Sequence, residues 1–465
     1  MNGWGSDYNF SITGILPRAG GKISDILPPV WGKISDNLPC LYIISSNYLI
    51  FVTKLKAMIR RKLFDNLLAH LLKKEFSIIT GARQTGKSTL LKQMGDYCKQ
   101  MDIPVVFLNL ENKTILAELN ENPLNLLKFM PESNKKTVAL IDEIQYLNDP
   151  SNFLKLLYDE HSEQIKIIAT GSSAFYIDTQ FKDSLAGRKK IFQLFTCSFD
   201  EYLDLSGKSH LREEKDLLLK NVEYKSTLID YLRVEWESYM IYGGYPAIVT
   251  EPDREEKISR LKEIRDSFVK RDILESGVVN DLAFYNLFRV IANQTGSMVN
   301  VNELSSTLRI KNETVDSFLT IMQKCFHIAL IKPFYRNLRK ELVKMPKVFL
   351  LDTGLRNCLL NNFQQLAERT DKGELWENAV FRLLADNIGT DAIQFWRTSA
   401  GNEVDFVLSD FGVSKAFEVK YDNNQVKINK YKLFTETYPE IPLQFVWFNP
   451  FDYDFFRRIS FNINN

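Results

Sequence analysis

One nine-residue stretch constrains this chain more than any other: Gly81-Ala82-Arg83-Gln84-Thr85-Gly86-Lys87-Ser88-Thr89, which reads GxxxxGK[ST]. An apolar run, Phe76–Thr80 (FSIIT), leads into it, and TLLKQMGDYCKQ follows with helical character. The glycines let the backbone curl so that its N–H groups point inward. A helix starting near Lys87 adds its positive N-terminal end. Such a loop is suited to a triphosphate: Lys87 supplies a point charge for the β and γ phosphates, and Ser88 a hydroxyl ligand for Mg²⁺. The competing reading is a glycine turn joining strand to helix by chance. It leaves the strand–loop–helix order unexplained.

A second apolar run, TVALIDEIQYL, ends in two acids 55 residues after Lys87, room for one intervening strand–helix pair. A buried strand of an open α/β sheet delivers ligands at its C-terminal end. Asp142 is expected to hold Mg²⁺ through water, and Glu143 to act as general base toward an attacking water. The sequence therefore calls for ATP and Mg²⁺ as cofactors. Thr170-Gly171-Ser172-Ser173 closes a further strand-like run. Thr170 and Ser172 are candidates to orient the water or sense the γ phosphate; a plain Gly-Ser turn is the alternative. Arg188 is a candidate charge-stabilising arginine, acting in its own chain or across a subunit boundary.

Strand-like runs at Phe76–Thr80, Val105–Leu110, Thr137–Ile141, Lys166–Thr170 and Lys190–Phe195 alternate with helical stretches. Nearly continuous apolar strands separated by helices imply a parallel sheet covered on both faces. With 465 residues, the chain has room for further domains. Residues 206–283 read as a helical region containing GGYPAIV, a turn, and a charged helix over Arg254–Leu274. Residues 284–345 read as winged-helix-like, and 346–465 as a C-terminal α/β domain.

Residues 1–57 differ in character. They hold a near-repeat, GKISDILP and GKISDNLP, offset by eleven residues, and no sustained helical period. Met58 is read as the natural start, with 1–57 an upstream translated extension; a flexible arm is the alternative.

The five cysteines are scattered without CxxC spacing, which argues against a disulfide framework or zinc site and fits a reducing, cytoplasmic compartment. Leu41–Val52 is the longest apolar stretch, too short and too polar to span a bilayer, so no membrane association is expected. A net charge of +1 gives no general push toward nucleic acid. The winged-helix-like stretch nevertheless carries Arg309, Lys311, Lys324, Lys332, Arg336, Arg339 and Lys340, which suit phosphate contacts or simply a solvated face.

GARQTGKSTLL, LIDEIQYL, TGSSA, SLAGR, GGYP and the EVDFVL/FEVK run together resemble a prokaryotic family of AAA+-superfamily ATPases fused to a C-terminal domain of unknown function. The resemblance covers Met58 to the C-terminus. It implies an α/β P-loop NTPase sheet of order 5-1-4-3-2 over residues 58–205, then a winged helix and a nuclease-like domain. AAA+ relatives commonly form rings, so self-association is expected, with DNA as the other candidate partner.

The C-terminal run also resembles the PD-(D/E)XK nuclease core. Glu418 and Lys420 face the same way along a strand. Asp405, thirteen residues before Glu418, can lie beside them in a hairpin, and Glu377 can face the same cluster from a helix. In that core the carboxylates bind a divalent metal and the lysine positions water. A strand pair with solvated charges is one alternative. A nuclease-like fold that binds without cleaving is the other.

Overall fold

The computed structural model describes residues 60–171, 185–221, 223–275, 278, 280–335, 345–410 and 413–448. The extension before Met58, the apolar stretch Leu41–Val52, Ser172, Arg336, Arg339 and Lys340 lie outside the described residues. Helix α1 (Leu63–Leu71) leads into β1 (Phe76–Thr80), whose five residues are all buried. After the phosphate loop come α2 (Lys87–Gln100), β2 (Val105–Asn109), α3 (Lys113–Glu121), β3 (Thr137–Asp142), α4 (Pro150–His161), β4 (Ile165–Gly171) and β5 (Lys189–Gln193). The strands lie in the order β2-β3-β4-β1-β5, and every neighbouring pair is parallel. This is the order 5-1-4-3-2 of a P-loop NTPase sheet. The central strands β1, β3 and β4 are buried throughout, as a sheet covered on both faces requires. The buried Lys166 in β4 survives there because its ammonium donates to the carbonyls of Lys73, at 3.0 Å, and Glu75.

A helical region follows: α5 (Phe199–Leu205), α6 (Ser209–Lys220), α7 (Ile229–Tyr242), α8 (Pro246–Val249), α9 (Arg254–Glu275), α10 (Asp281–Asn293), α11 (Val301–Leu308) and α12 (Asn312–Lys324). Ser198 caps α5, accepting from Glu201 N while the Glu201 carboxylate accepts from Ser198 N at 2.9 Å. The GGYP run is more than a turn. Cys197 N donates to Gly244 O at 2.7 Å, and Gly244 N donates to Asp352 Oδ2 at 2.9 Å. A Cβ on Gly244 would stand 2.3 Å from Cys197 O; one on Gly243, at φ +76°, would stand 2.2 Å from Asp352 Oδ1. These glycines let the segment after β5, the end of α7 and the C-terminal half pack backbone against backbone.

The last part comprises β6 (Ile328–Pro333), β7 (Lys347–Leu350), α13 (Thr353–Leu360), α14 (Lys372–Ile388), β8 (Ile393–Arg397), β9 (Glu403–Asp410), β10 (Val413–Lys420), α15 (Lys432–Thr437) and β11 (Leu443–Trp447). Its strands form one six-stranded sheet, β11-β10-β9-β8-β6-β7. β6 pairs antiparallel with β7, as a wing hairpin does, but also pairs parallel with β8. The boundary expected at residues 345/346 therefore cuts through a continuous sheet. Backbone hydrogen bonding carries the strand pair into the C-terminal sheet. One buried core runs from Trp236 of α7 through Trp376 and Phe381 of α14 to Phe349 and Phe406. The Phe349 and Phe381 rings stack at 4.6 Å. Among the described residues, no helix is long and apolar enough to cross a membrane.

Candidate functional site

The phosphate loop lies between β1 and α2, with Gln84 at φ +60° and Gly86, the cap of α2, at φ +93°. A Cβ on Gly81 would stand 2.1 Å from Leu194 O, so only glycine lets the loop start this close to the end of β5. Lys87 is buried and its Nζ donates to Gly81 O and Ala82 O, both at 2.8 Å, so the ammonium sits over the curled main chain. The Thr85 hydroxyl closes the curl by donating to Ala82 O at 2.8 Å. Arg83 and Thr89 complete the stretch, Thr89 in the first turn of α2.

The structure brings Asp142 and Glu143 to this loop. Ser88 Oγ donates to Asp142 Oδ1 at 3.1 Å, and Thr170 Oγ1, from the neighbouring strand β4, donates to the same oxygen. Glu143 N donates to Thr170 Oγ1 at 3.1 Å. Glu143 itself stands in the left-handed region at φ +60°, which turns its side chain out of the strand, and Gln145 Nε2 donates to its carboxylate. A hydroxyl and a carboxylate side by side are the hard oxygen donors that Mg²⁺ takes, so these residues fit the ion. The ammonium of Lys87 and the helix start supply the positive field a triphosphate needs.

Arg188 is not part of this group within its own chain. Its carbonyl accepts from Phe76 N, at the opposite end of β1 from the phosphate loop, and its guanidinium grips Asp159 of α4 through Nε at 2.7 Å and Nη2 at 3.2 Å. That pair raises the Arg188 pKa, chiefly through the hydrogen bond to Asp159.

Arg61, unmarked in the sequence, clamps the loop from the side. Its Nη1 donates to Thr85 O at 2.7 Å and its Nη2 to Phe195 O at 2.8 Å, while Nε lies 3.0 Å from Glu201. Burial drives the Glu201 carboxyl upward, but Arg61 outweighs it and the pKa ends below the ordinary value. The Arg-Arg pair before α1 reads as surface charge, and no spacing rule flags it. Beyond the strand end, Arg382 Nη2 of α14 donates to Thr196 O at 3.0 Å.

The second expected constellation also assembles. Asp405 Oδ2 accepts from Val419 N at 2.8 Å and lies 3.5 Å from Lys420 Nζ. Lys420 Nζ donates to Glu418 Oε1, which also accepts from Tyr431 OH at 2.6 Å. Glu377 reaches the cluster from α14. Two members went unread in the sequence: Glu403, and Lys347 at the start of β7. Lys347 is 2% exposed, and its Nζ contacts Glu403 Oε1 and lies 3.5 Å from Glu377 Oε1 and 3.6 Å from Asp405 Oδ1. Gly296, at φ +79°, leaves space for the Glu377 carboxylate, 3.0 Å from where its Cβ would be. Burial pushes Glu377 up to about 8 despite the lysine beside it, and Glu418 up to about 7 with Asp405 adding to the effect. Burial lowers Lys420, but Asp405 and Glu418 prevail and hold its ammonium above the usual value.

On the winged-helix-like stretch, Arg309, Lys311 and Lys332 are exposed and Lys324 is half-buried. The exposed positions of α12 include Glu313, Asp316, Ser317, Thr320 and Gln323. Its outer face is polar and acidic rather than basic.

Three family models match in succession: an AAA domain over residues 73–203, and two domains of unknown function, DUF8612 over 233–366 and DUF4143 over 372–452. An uncharacterized protein of Haemophilus influenzae is 29% identical over 313 residues, covering 65% of this chain and 73% of that protein. An uncharacterized protein of Mycobacterium tuberculosis is 26% identical over 346 residues, covering 74% of this chain and 69% of that protein. Among solved structures, the RuvB Holliday junction branch migration motor of Thermotoga maritima aligns over 59% of this chain and 91% of its own, at 15% identity and a TM-score of 0.31. The Aeropyrum pernix ORC1 protein in complex with DNA aligns over 65% and 93%, at 12% identity and a TM-score of 0.30.

Proposed function

We propose, from the AAA domain that residues 73–203 form, that this chain binds MgATP at Gly81–Thr89 and hydrolyses it, passing the nucleotide state to its C-terminal half. The observation that carries the reading is the hydrogen bond from Ser88 to Asp142 beside the loop-held ammonium of Lys87. It joins the phosphate loop to the acidic strand end in one polar group. Magnesium bound by Ser88 and, through water, by Asp142 would neutralise phosphate charge. Lys87 meets the β and γ phosphates. Glu143 takes the proton of the attacking water, and its neighbour Gln145 holds the carboxylate until then. Thr170 keeps both acids in register, while Ser172 stays a candidate for contact with the γ phosphate. Arg188, gripped by Asp159 on the exposed far end of the sheet, is available only to a neighbouring copy, so its catalytic use belongs with self-association.

The test is nucleotide binding and turnover. The natural chain should bind adenine nucleotide in a magnesium-dependent way, Lys87→Ala should abolish binding, and Glu143→Gln should bind ATP and retain it unhydrolysed. Magnesium-independent or absent binding in the natural chain overturns the reading.

For the output, a protein partner is favoured over DNA by one observation: Glu313 and Asp316 stand on the exposed face of α12, where phosphates would meet like charge. ATP turnover with and without duplex and single-stranded DNA separates the two. Stimulation by DNA that fades with rising salt would return the reading to nucleic acid. The scattered buried cysteines suit a cytoplasmic setting.

A further inference from the structure

Fitting a divalent metal to the C-terminal acidic cluster fails on this chain's own side chains. A magnesium ion needs several oxygens converging at about 2.1 Å in near-octahedral geometry. Here the space between Glu377, Glu403 and Asp405 is taken by Lys347 Nζ, in contact with Glu403 and at 3.5 and 3.6 Å from the other two. The oxygens of Asp405 and Glu418 are engaged by N–H and O–H donors, whereas Glu377 Oε1, buried without a hydrogen-bond donor, has the Lys347 ammonium 3.5 Å away. Asp405 Oδ2 accepts from Val419 N at 2.8 Å. Glu418 Oε1 accepts from Lys420 and from Tyr431 OH, and Glu418 Oε2 accepts from Asp405 N at 3.4 Å. Even the main-chain carbonyl of Val419, between Glu418 and Lys420, accepts from Lys420 Nζ at 2.9 Å. Among the described residues, no group of three or more acidic, histidine or cysteine side chains is arranged to hold a metal ion.

We infer that Lys347 is a built-in cation standing in the place of a divalent metal, so that the C-terminal cluster is a metal-independent core. The lysine reaches the cluster from the first residue of β7, a strand buried throughout. Its ammonium lies under the Phe395 ring, 5.5 Å from the ring centroid. A metal entering the cluster must expel this ammonium from its carboxylates while the rest of the side chain stays enclosed. An expelled ammonium would be a buried charge without its partners, the costly arrangement. Lys347 is also tethered, so it competes at a fixed high local concentration whatever the metal concentration outside. The inference does not depend on the ATP reading, since the cluster shares no residue with the phosphate loop.

The experiment is Mn²⁺ titration of the full nucleotide-free chain, followed by calorimetry and by the electron paramagnetic resonance of free Mn²⁺. The natural chain should bind no Mn²⁺ that Asp405→Asn removes. Lys347→Ala should gain one Mn²⁺ site, and Asp405→Asn in that background should abolish it. Mn²⁺ binding by the natural chain that disappears on Asp405→Asn overturns the inference, as does a folded Lys347→Ala chain that gains no site. Should Lys347→Ala not fold, the natural chain still decides: any Mn²⁺-induced rise in its melting temperature should persist in Asp405→Asn, and a rise lost on Asp405→Asn overturns the inference.

Discussion

The hydroxyl of Thr170 donates to the carboxylate of Asp142 across the seam between β4 and β3. The same oxygen accepts the main-chain N–H of Glu143, so one side chain fixes both acids of the strand end. A hydrogen bond to a charged group is worth about 1.5–3 kcal/mol. Thr170→Val should therefore slow ATP hydrolysis about 10- to 100-fold with little change in nucleotide affinity, and Thr170→Ser should recover most of the rate. Steady-state turnover beside equilibrium nucleotide binding checks this. A valine variant that turns over normally would remove Thr170 from the site.

Arg61 holds the phosphate loop, the end of β5 and Glu201 with one guanidinium. Removing one partner of a buried ion pair leaves the other charge uncompensated, at a cost of about 3–5 kcal/mol. The Arg61–Glu201 pair is part-buried and Glu201 keeps the N–H donors of Lys62 and Ser198, so Arg61→Ala should lower the unfolding free energy by less than this, read as a lower denaturant midpoint. Arg61→Lys should recover only part, because an ammonium cannot reproduce the planar fork. Denaturant unfolding of the three chains reads the difference; equal midpoints would mean the clamp contributes nothing.

Gly244 has no room for a side chain. Its added methyl would overlap a backbone oxygen, Cys197 O, which cannot swing aside as a side chain can. Overpacking of this kind costs about 1–3 kcal/mol, and a rigid obstacle puts Gly244→Ala toward the upper end. By contrast, Gly373→Ala, whose added methyl would meet nothing within 4 Å, should be neutral or mildly stabilising. Thermal denaturation of the two variants should separate them clearly.

The acidic cluster makes stability fall as pH rises. Glu377 titrates near pH 8 in the native chain against an ordinary value of 4.5. Between those values the native state holds a proton that the unfolded chain has released. The stabilisation is thus complete below pH 4.5 and lost as pH climbs through 8. Glutamine mimics the protonated acid, so Glu377→Gln should match the natural chain at about pH 5 and exceed it at about pH 8. Urea midpoints at the two pH values decide the matter; an equal difference at both would show that Glu377 does not carry the proton.

The P-loop sheet was legible because its signals are local. Gly81–Thr89 sits between a strand and a helix, and the runs ending in Asp142 and Thr170 are continuous apolar strands. Asp405, Glu418 and Lys420 were legible from the two-residue period of strands and a hairpin spacing, and Glu377 from the helix that can face them. What stayed hidden depends on partners far along the chain. Lys347 lies 30 residues before Glu377 and 56 before Glu403, in a four-residue strand with no motif around it. Arg61 meets Phe195 and Glu201 more than 130 residues away. The GGYP run shows its glycines but not the backbone oxygens they make room for. The expected border at residue 345 failed because strand pairing between β6 and β8 leaves no mark in either strand's own pattern.

Helix α14 carries Glu377 and Arg382 five residues apart, about 7.5 Å along the axis and roughly 140° around it. Arg382 pins the middle of this helix to the segment that Arg61 ties to the phosphate loop, and Glu377, five residues earlier, projects into the Lys347 cluster. One helix therefore reaches toward both polar groups. Phosphate loop and acidic cluster are thus referenced to the same rigid element, each through a single side chain.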